Sequence, residues 1–182
     1  LSTYGRINVT FTHGKGAWLY SDKKRKYLDF TAGIAVNCLG HASPVLIEAL
    51  KKQSKKLWHT SNLYKIKEQE MLAKELCKLS FADKVFFCNS GAEANDGALK
   101  ISYKYFNGKR KIVLCSDRSF HGRTIGSGSI SSGDNFVAGN YRFSFQKIPG
   151  VIKYKFNDIK NLKKVINKYK SNIYGIFIEP FS

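Results

Sequence analysis

Residues 85 to 115 run in order through an apolar strand at 85–88, a small-residue turn (Asn89, Ser90, Gly91), a helical stretch at 92–106 closed by Asn107 and Gly108, and a second apolar strand at 111–115. Strand, helix and strand in that order define a βαβ unit with parallel strands, which commits the chain to the α/β class. A Gly- and Ser-rich loop from His121 to Gly139 comes next, and then a helix capped at Asn157 or Asp158 carries Ile159, Leu162, Val165, Ile166 and Tyr169 at helical spacing. It leads into a last strand at 173–178, which reads as central and fully buried. A central strand with no crossover helix after it suggests the N-terminal piece of a longer protein; the chain also begins at Leu1 rather than Met.

The first sixty residues read differently. Alternation through Val9 and Phe11, a turn at 13–16, an apolar run at 17–20, a charged turn at 21–26 and Tyr27-Leu28-Asp29-Phe30 predict a small antiparallel meander. Ser43 and Pro44 supply an N-cap and an N1 proline for a helix with Leu46, Ala49, Leu50 and Leu57 near one face and Lys51, Lys52, Lys55 and Lys56 on the other. A second helix at 66–79 has Met71, Leu72, Leu76 and Leu79 as its expected buried stripe. We read 1–60 as a small-domain segment and 61–182 as the first part of a larger sheet domain.

Composition bounds the rest. The 182 residues are 43% hydrophobic with 3 Pro, enough apolar material for a core. No apolar run approaches the roughly 20 residues that span a bilayer, and residues 1–11 lack the apolar core of a signal peptide. Cys38, Cys77, Cys88 and Cys115 lie too far apart for a metal clip and are expected as reduced core residues of a cytoplasmic protein. The 31 Lys and Arg against 13 Asp and Glu leave a net charge of +18, which raises a basic nucleic-acid-binding module as a rival reading. Its lysines, however, are spread over every helix and turn rather than gathered on one face, and Arg, the residue that phosphate and base recognition favours, is scarce.

The chemistry is expected where the strands end. Ser90 and Glu93 form an S-x-x-E capping box. A helix opening on Gly91 and Ala92 leaves backbone amides open beside the positive end of the macrodipole, a place for a phosphate that needs no lysine. Neither a P-loop nor a G-x-G-x-x-G fingerprint is present. Past the second strand stand Phe120, which could stack on a flat ring, and Arg123, whose fork suits a carboxylate. Glu179 sits at the end of the last strand, on the same sheet edge, where ligands of open parallel sheets gather. Asn37 and His41 are weaker candidates for the same cleft, and Asp117, Ser119 and His121 form no triad by spacing alone. Each of these residues also has a plain reading as a capped turn, a core ring or a solvated charge.

Five segments (27–41, 57–64, 86–93, 119–124 and 178–180) together resemble, in family order, the class III (ornithine-type) pyridoxal-phosphate aminotransferases. The resemblance implies fold type I and a pyridoxal 5'-phosphate cofactor. Its phosphate would be held at Ser90, Gly91 and Ala92, its ring packed on Phe120, and Glu179 placed nearby. It further implies that Arg123 grips a substrate carboxylate, and that the protein is a homodimer moving an amino group from N-acetylornithine to 2-oxoglutarate. Succinyldiaminopimelate, ornithine and 4-aminobutyrate stay open as donors. The Schiff-base lysine and the aspartate that pairs with the pyridinium nitrogen are expected beyond Ser182, so no catalytic residue is assigned within the chain and the 182 residues alone are expected to be inactive. No metal is implied. Ser182 stands where the family has Gln, and the 126–141 stretch lacks the family's Gln-Pro.

Overall fold

A computed structural model describes residues 4–132 and 147–181. They fall into two compact units, Arg6–Val85 and Leu1–Gly5 with Phe86–Ser182.

In the Arg6–Val85 unit, β1 (Phe11–Lys15), β2 (Trp18–Ser21) and β3 (Lys26–Leu28) form the expected antiparallel meander. Cross-strand rings tie it together: His13 stacks on Tyr20 at 4.6 Å and Phe11 meets Tyr27 edge-on at 5.3 Å. After β3, Asp29 Oδ1 accepts from the Thr31 hydroxyl at 2.8 Å and from the amides of Thr31 and Ala32 at 3.0 and 2.9 Å, while Oδ2 meets His41 Nε2 at 2.7 Å. These bonds hold the start of α1 (Ala32–Ala35), a single turn of left-handed backbone whose φ angles run from 46° to 64°. The hydrogen bond to His41, with the added bonds to Thr31 and Ala32, brings the Asp29 carboxyl down to about 2. His41 also pairs its backbone with Gly16, so it is a structural residue of this unit.

Helices α2 (Pro44–Ser54) and α3 (Lys67–Lys78) lie where the pattern placed them, with Ser43 at the N-cap position of α2 and Pro44 at N1. Ser43 makes no side-chain capping bond. Their apolar stripes are not buried as expected: Leu50 is 69% exposed, Met71 56% and Leu79 84%. A helical stripe is buried only by a surface that meets it, and among the described residues none covers these two.

The second unit holds a three-stranded parallel sheet of order β5-β4-β6, made of β4 (Ile112–Ser116), β5 (Val151–Tyr154) and β6 (Ile173–Phe177). Strand β4 is central and its Val113, Leu114 and Cys115 are fully buried. Alternation along β4 sends Val113 and Cys115 to one face, where they form the core with Leu99 of α4 (Gly91–Tyr105), Ile130 of α5 (Ile125–Ile130) and Tyr174 of β6. Helix α4 ends as the Asn107-Gly108 pair foretold, with the Gly108 amide donating to Tyr103 C=O at 3.2 Å and the Asn107 amide to Lys104 C=O at 2.8 Å. Helix α6 (Ile159–Tyr169) is capped by Asp158, whose side chain accepts from the Asn161 amide at 2.8 Å, and lies beside β5. A short 3₁₀ turn at Lys170–Asn172 then feeds β6.

Five expectations are corrected. Residues 85–88 form no strand, because no described residue supplies a ladder partner. The strand at 151–154 has no local signal: only four residues long and carrying a lysine, it is a strand by virtue of pairing with β4. That pairing makes β4 the centre and leaves β6 on the edge of the described sheet, so β6 is half-buried, with Ile176 41% exposed. The Gly- and Ser-rich stretch after His121 is not loop throughout: residues 125–130 form α5, with Ser127, Ser129 and Ile130 buried. Of the four thiols, all free, only Cys115 is a core residue; Cys38 and Cys88 are exposed and Cys77 is half-buried. Burial pushes the Cys115 thiol up to about 11, which keeps it protonated.

Candidate active site

The site is built on the first two turns of α4. Ser90 has the extended backbone of an N-cap, and its Oγ accepts the Glu93 amide at 3.2 Å. Glu93 folds back, taking the Asn89 amide on Oε2 at 2.8 Å and the Asn89 side-chain amide on Oε1 at 3.2 Å. The capping box is therefore formed, with the return bond one residue earlier than the standard arrangement. Its effect is to occupy the carboxylate that stands nearest the helix start. The Gly91 and Ala92 amides, as first-turn donors, have no intrahelical acceptor, and a Cβ added at Gly91 would meet nothing within 4 Å. The space beside Gly91 is open, as an anion at the helix start would require.

The segment after β4 docks onto this helix along one face, at Ala92, Asn95, Asp96 and Leu99, the i, i+3, i+4, i+7 row of a helical surface. Gly122 sits against Ala92: its φ is +133°, and a Cβ there would come within 2.7 Å of the Ala92 Cβ. Asn95 Nδ2 donates to His121 C=O at 2.7 Å. Asp96 accepts from the Thr124 hydroxyl at 2.6 Å and from the Ser127 amide at 2.7 Å. Gly126 comes so close to the Asp96 carboxylate that a Cβ would overlap Oδ1, and a Cβ there would stand 3.4 Å from Leu99 Cδ1.

Two of the proposed ligand residues are joined directly. Glu179, just past the end of β6, accepts the Phe120 amide on Oε2 at 2.8 Å, which locks the Phe120 backbone to the adjacent strand end. The Phe120 ring is 38% exposed and lies 5.4 Å from the Arg123 guanidinium carbon, with the Tyr4 ring 5.6 Å from the same group. Arg123 is exposed and, among the described residues, makes no ion pair. Its fork is thus held between aromatic faces with its charge uncommitted. The 90–92 helix start, Phe120, Arg123 and Glu179 are all carried by one compact unit, and the Asn95, Gly122 and Glu179 contacts above link their segments.

Behind them is His121. It is buried, its ring meets Phe177 edge-on at 5.9 Å, and its amide donates to Ser131 Oγ at 2.8 Å. Its Nε2 has no hydrogen-bond partner among the described residues. Burial lowers its pKa below the usual 6.5, opposed by the nearby Glu179 charge. Asp117, Ser119 and His121 have separate partners: Asp117 Oδ1 takes the Phe156 amide at 2.8 Å and the Ser119 hydroxyl donates to Ser116 C=O at 3.1 Å. Asn37 and His41 belong to the other unit. Ser182 and residues 133–141 of the divergent stretch lie outside the described residues. Among the described residues no group of three or more His, Cys, Asp or Glu could hold a metal ion, and no helix is long and apolar enough to cross a membrane.

Asn95 and Asp96, whose side chains tie the segment after β4 to α4, are marked by none of the sequence motifs. The available signal was their residue type: Asn and Asp are poor helix formers whose side chains compete for backbone partners, so a consecutive pair inside a helix marks a local task.

Comparison with known proteins identifies the family. The sequence model of aminotransferase class III matches residues 2–182. Acetylornithine aminotransferase of Prochlorococcus marinus subsp. pastoris is 44% identical over 99% of this chain, and acetylornithine aminotransferase 2 of Caulobacter vibrioides 46% identical over 99%; the chain covers 44% of each. It thus spans less than half the length of these curated relatives. Among solved structures, an ornithine aminotransferase of Toxoplasma gondii superposes with a TM-score of 0.86 at 28% identity, covering 100% of this chain and 43% of that one. An N-acetylornithine aminotransferase of Stenotrophomonas maltophilia gives 0.76 at 32%, covering 97% and 42%. The shared fold, the match along the whole chain and the identity to these relatives have one reading: the chain belongs to the class III aminotransferase family.

Proposed function

We propose that this chain supplies the cofactor-phosphate and substrate-carboxylate ends of a fold type I aminotransferase that uses pyridoxal 5'-phosphate and moves an amino group from N-acetylornithine to 2-oxoglutarate. The observation that carries the reading is the open start of α4 held against the Phe120–Arg123 segment by Asn95 and Gly122. Ser90, Gly91 and Ala92 would hold the phosphate, Phe120 would pack on the ring, and Glu179 would fix Phe120 through its amide. Arg123 would pair with a carboxylate of the substrate. Pyridoxal phosphate, when bound, supplies an electron sink conjugated to the donor's amino-bearing carbon.

The residues fit that group without any further donor. A helix start contributes amides and about half a positive charge to an anion. Glu93, the one acid in that turn, is already engaged by Asn89. A planar ring needs one apolar face beside it, and Phe120 is half-exposed at the adjacent strand end. The donor's identity rests on the names of the relatives at 44–46% identity. We further propose that residues 1–60 and 61–182 belong to the small and large domains of the enzyme, that it works in the cytoplasm as a homodimer, and that its Schiff-base lysine and ring-pairing aspartate lie outside these residues.

Kinetics of the enzyme that carries this sequence test the reading. With pyridoxal phosphate and 2-oxoglutarate, N-acetylornithine is expected to give the highest kcat/KM among itself, ornithine, 4-aminobutyrate and succinyldiaminopimelate. A marked preference for one of the other three overturns the donor assignment, and no transfer from any of them overturns the activity.

A further inference from the structure

Asn95 and Asp96 stand side by side in the second turn of α4, and each reaches across to the segment that follows β4. Asn95 Nδ2 binds His121 C=O at 2.7 Å and also its own helix at Gly91 C=O, 3.1 Å. Asp96 Oδ2 takes the Thr124 hydroxyl at 2.6 Å and Oδ1 the Ser127 amide at 2.7 Å. The Ser127 amide is the third-position donor of α5, which an N-cap side chain ordinarily accepts. Here the Thr124 hydroxyl at the N-cap is directed to Asp96 and to Ser127 Oγ, at 2.7 Å, so Asp96 caps α5 from another helix. The absence of a side chain at Gly126 is what allows the carboxylate this close.

Arg123 lies between the two anchored points, His121 and Thr124. We infer that Asn95 and Asp96 are positioning residues for Arg123, so that one helix both opens the phosphate cradle at its first turn and sets where the substrate-carboxylate clamp stands. The inference rests on the proposed role of Arg123. Fixing both flanks of a single exposed arginine matters because a displaced clamp weakens binding of the oriented substrate even when the cofactor is held normally. The bonds from Asp96 accept onto a charged oxygen and belong to the stronger class of hydrogen bond.

The test compares Asn95→Asp and Asp96→Asn, each nearly isosteric, in the enzyme that carries this sequence, with two donors: N-acetylornithine and N-acetyl-1,4-diaminobutane, the same molecule without its carboxylate. Donor affinity is read from the donor half-reaction, and pyridoxal phosphate affinity is measured separately. The expected result is a loss of about 10- to 100-fold in affinity for N-acetylornithine, with less than about twofold change for the decarboxylated donor and for pyridoxal phosphate. In an Arg123→Ala background the same substitutions should add nothing, because the residues act through Arg123. Equal losses for both donors, losses additive with Arg123→Ala, or collapse of folding in both variants overturn the inference in favour of a purely structural role. If Arg123→Ala alone fails to distinguish the two donors, the fault lies in the carboxylate role of Arg123 itself, a separately visible outcome that removes the inference with it.

Discussion

Arg123 lies near two aromatic rings with a charge that no described residue pairs, while Glu179 has given its Oε2 to the Phe120 amide. Residues on one strand edge thus divide the work by what each can still bind. Arg123→Lys keeps the charge but loses the planar fork, and is expected to weaken N-acetylornithine binding about tenfold, as read from KM, with kcat changed less. Ser90→Ala removes the N-cap acceptor and is expected to cost about 1 kcal/mol in a thermal or urea melt. His121 gives a pH signature. Its folded pKa lies below the unfolded 6.5, so the unfolded chain takes up the proton first as pH falls, and stability should decline below pH 6.5. His121→Phe, which preserves the edge contact with Phe177, should flatten that decline in melts between pH 7 and 5; an unchanged slope refutes this role for His121.

The elements show why part of the fold was legible and part was not. Helix α4 announced both of its ends locally, through Ser90 and Glu93 at the start and Asn107-Gly108 at the finish, and Asp158 did the same for α6. Such signals live within four residues of one another and need no distant partner. Strand β5 and the apolar run at 85–88 depend on what lies beside them: Val151 is a strand residue because Val113 pairs with it, and no described residue does the same for Phe86. Likewise α5 hid in a glycine- and serine-rich stretch because its cap comes from Asp96, 31 residues before the amide it accepts. The glycines of that stretch are contact sites as well as turn formers. Gly122→Ala would press a methyl into Ala92 at a φ of +133°, so a destabilisation of about 1–3 kcal/mol is expected, together with weaker pyridoxal phosphate binding. In the other unit, Asp29 clamps the left-handed turn. Because its folded pKa of about 2 is below the ordinary 3.8, that stabilisation is present above pH 4 and lost as pH falls towards 2; Asp29→Asn should remove this acid limb from amide-exchange protection of residues 31–35.

At the scale of the molecule, the +18 charge comes from 31 Lys and Arg against 13 Asp and Glu, and Arg123 is the one cation for which we propose a task. The apolar stripes of α2 and α3 were legible as stripes, but the burial expected of them depends on a covering surface that no described residue supplies. The proposed site was legible residue by residue in Ser90, Gly91, Ala92, Phe120, Arg123 and Glu179, but the contacts that hold those residues in register run through Asn95, Asp96 and Gly122 and appear only in three dimensions. The central claim is that the start of α4 and the segment after β4 together hold a phosphorylated ring. A crystal structure of the enzyme that carries this sequence, grown with pyridoxal 5'-phosphate, tests it most directly. The account predicts the phosphate within hydrogen-bond distance of the Gly91 and Ala92 amides and the ring against Phe120; a phosphate bound elsewhere, with the α4 start bare, would contradict it.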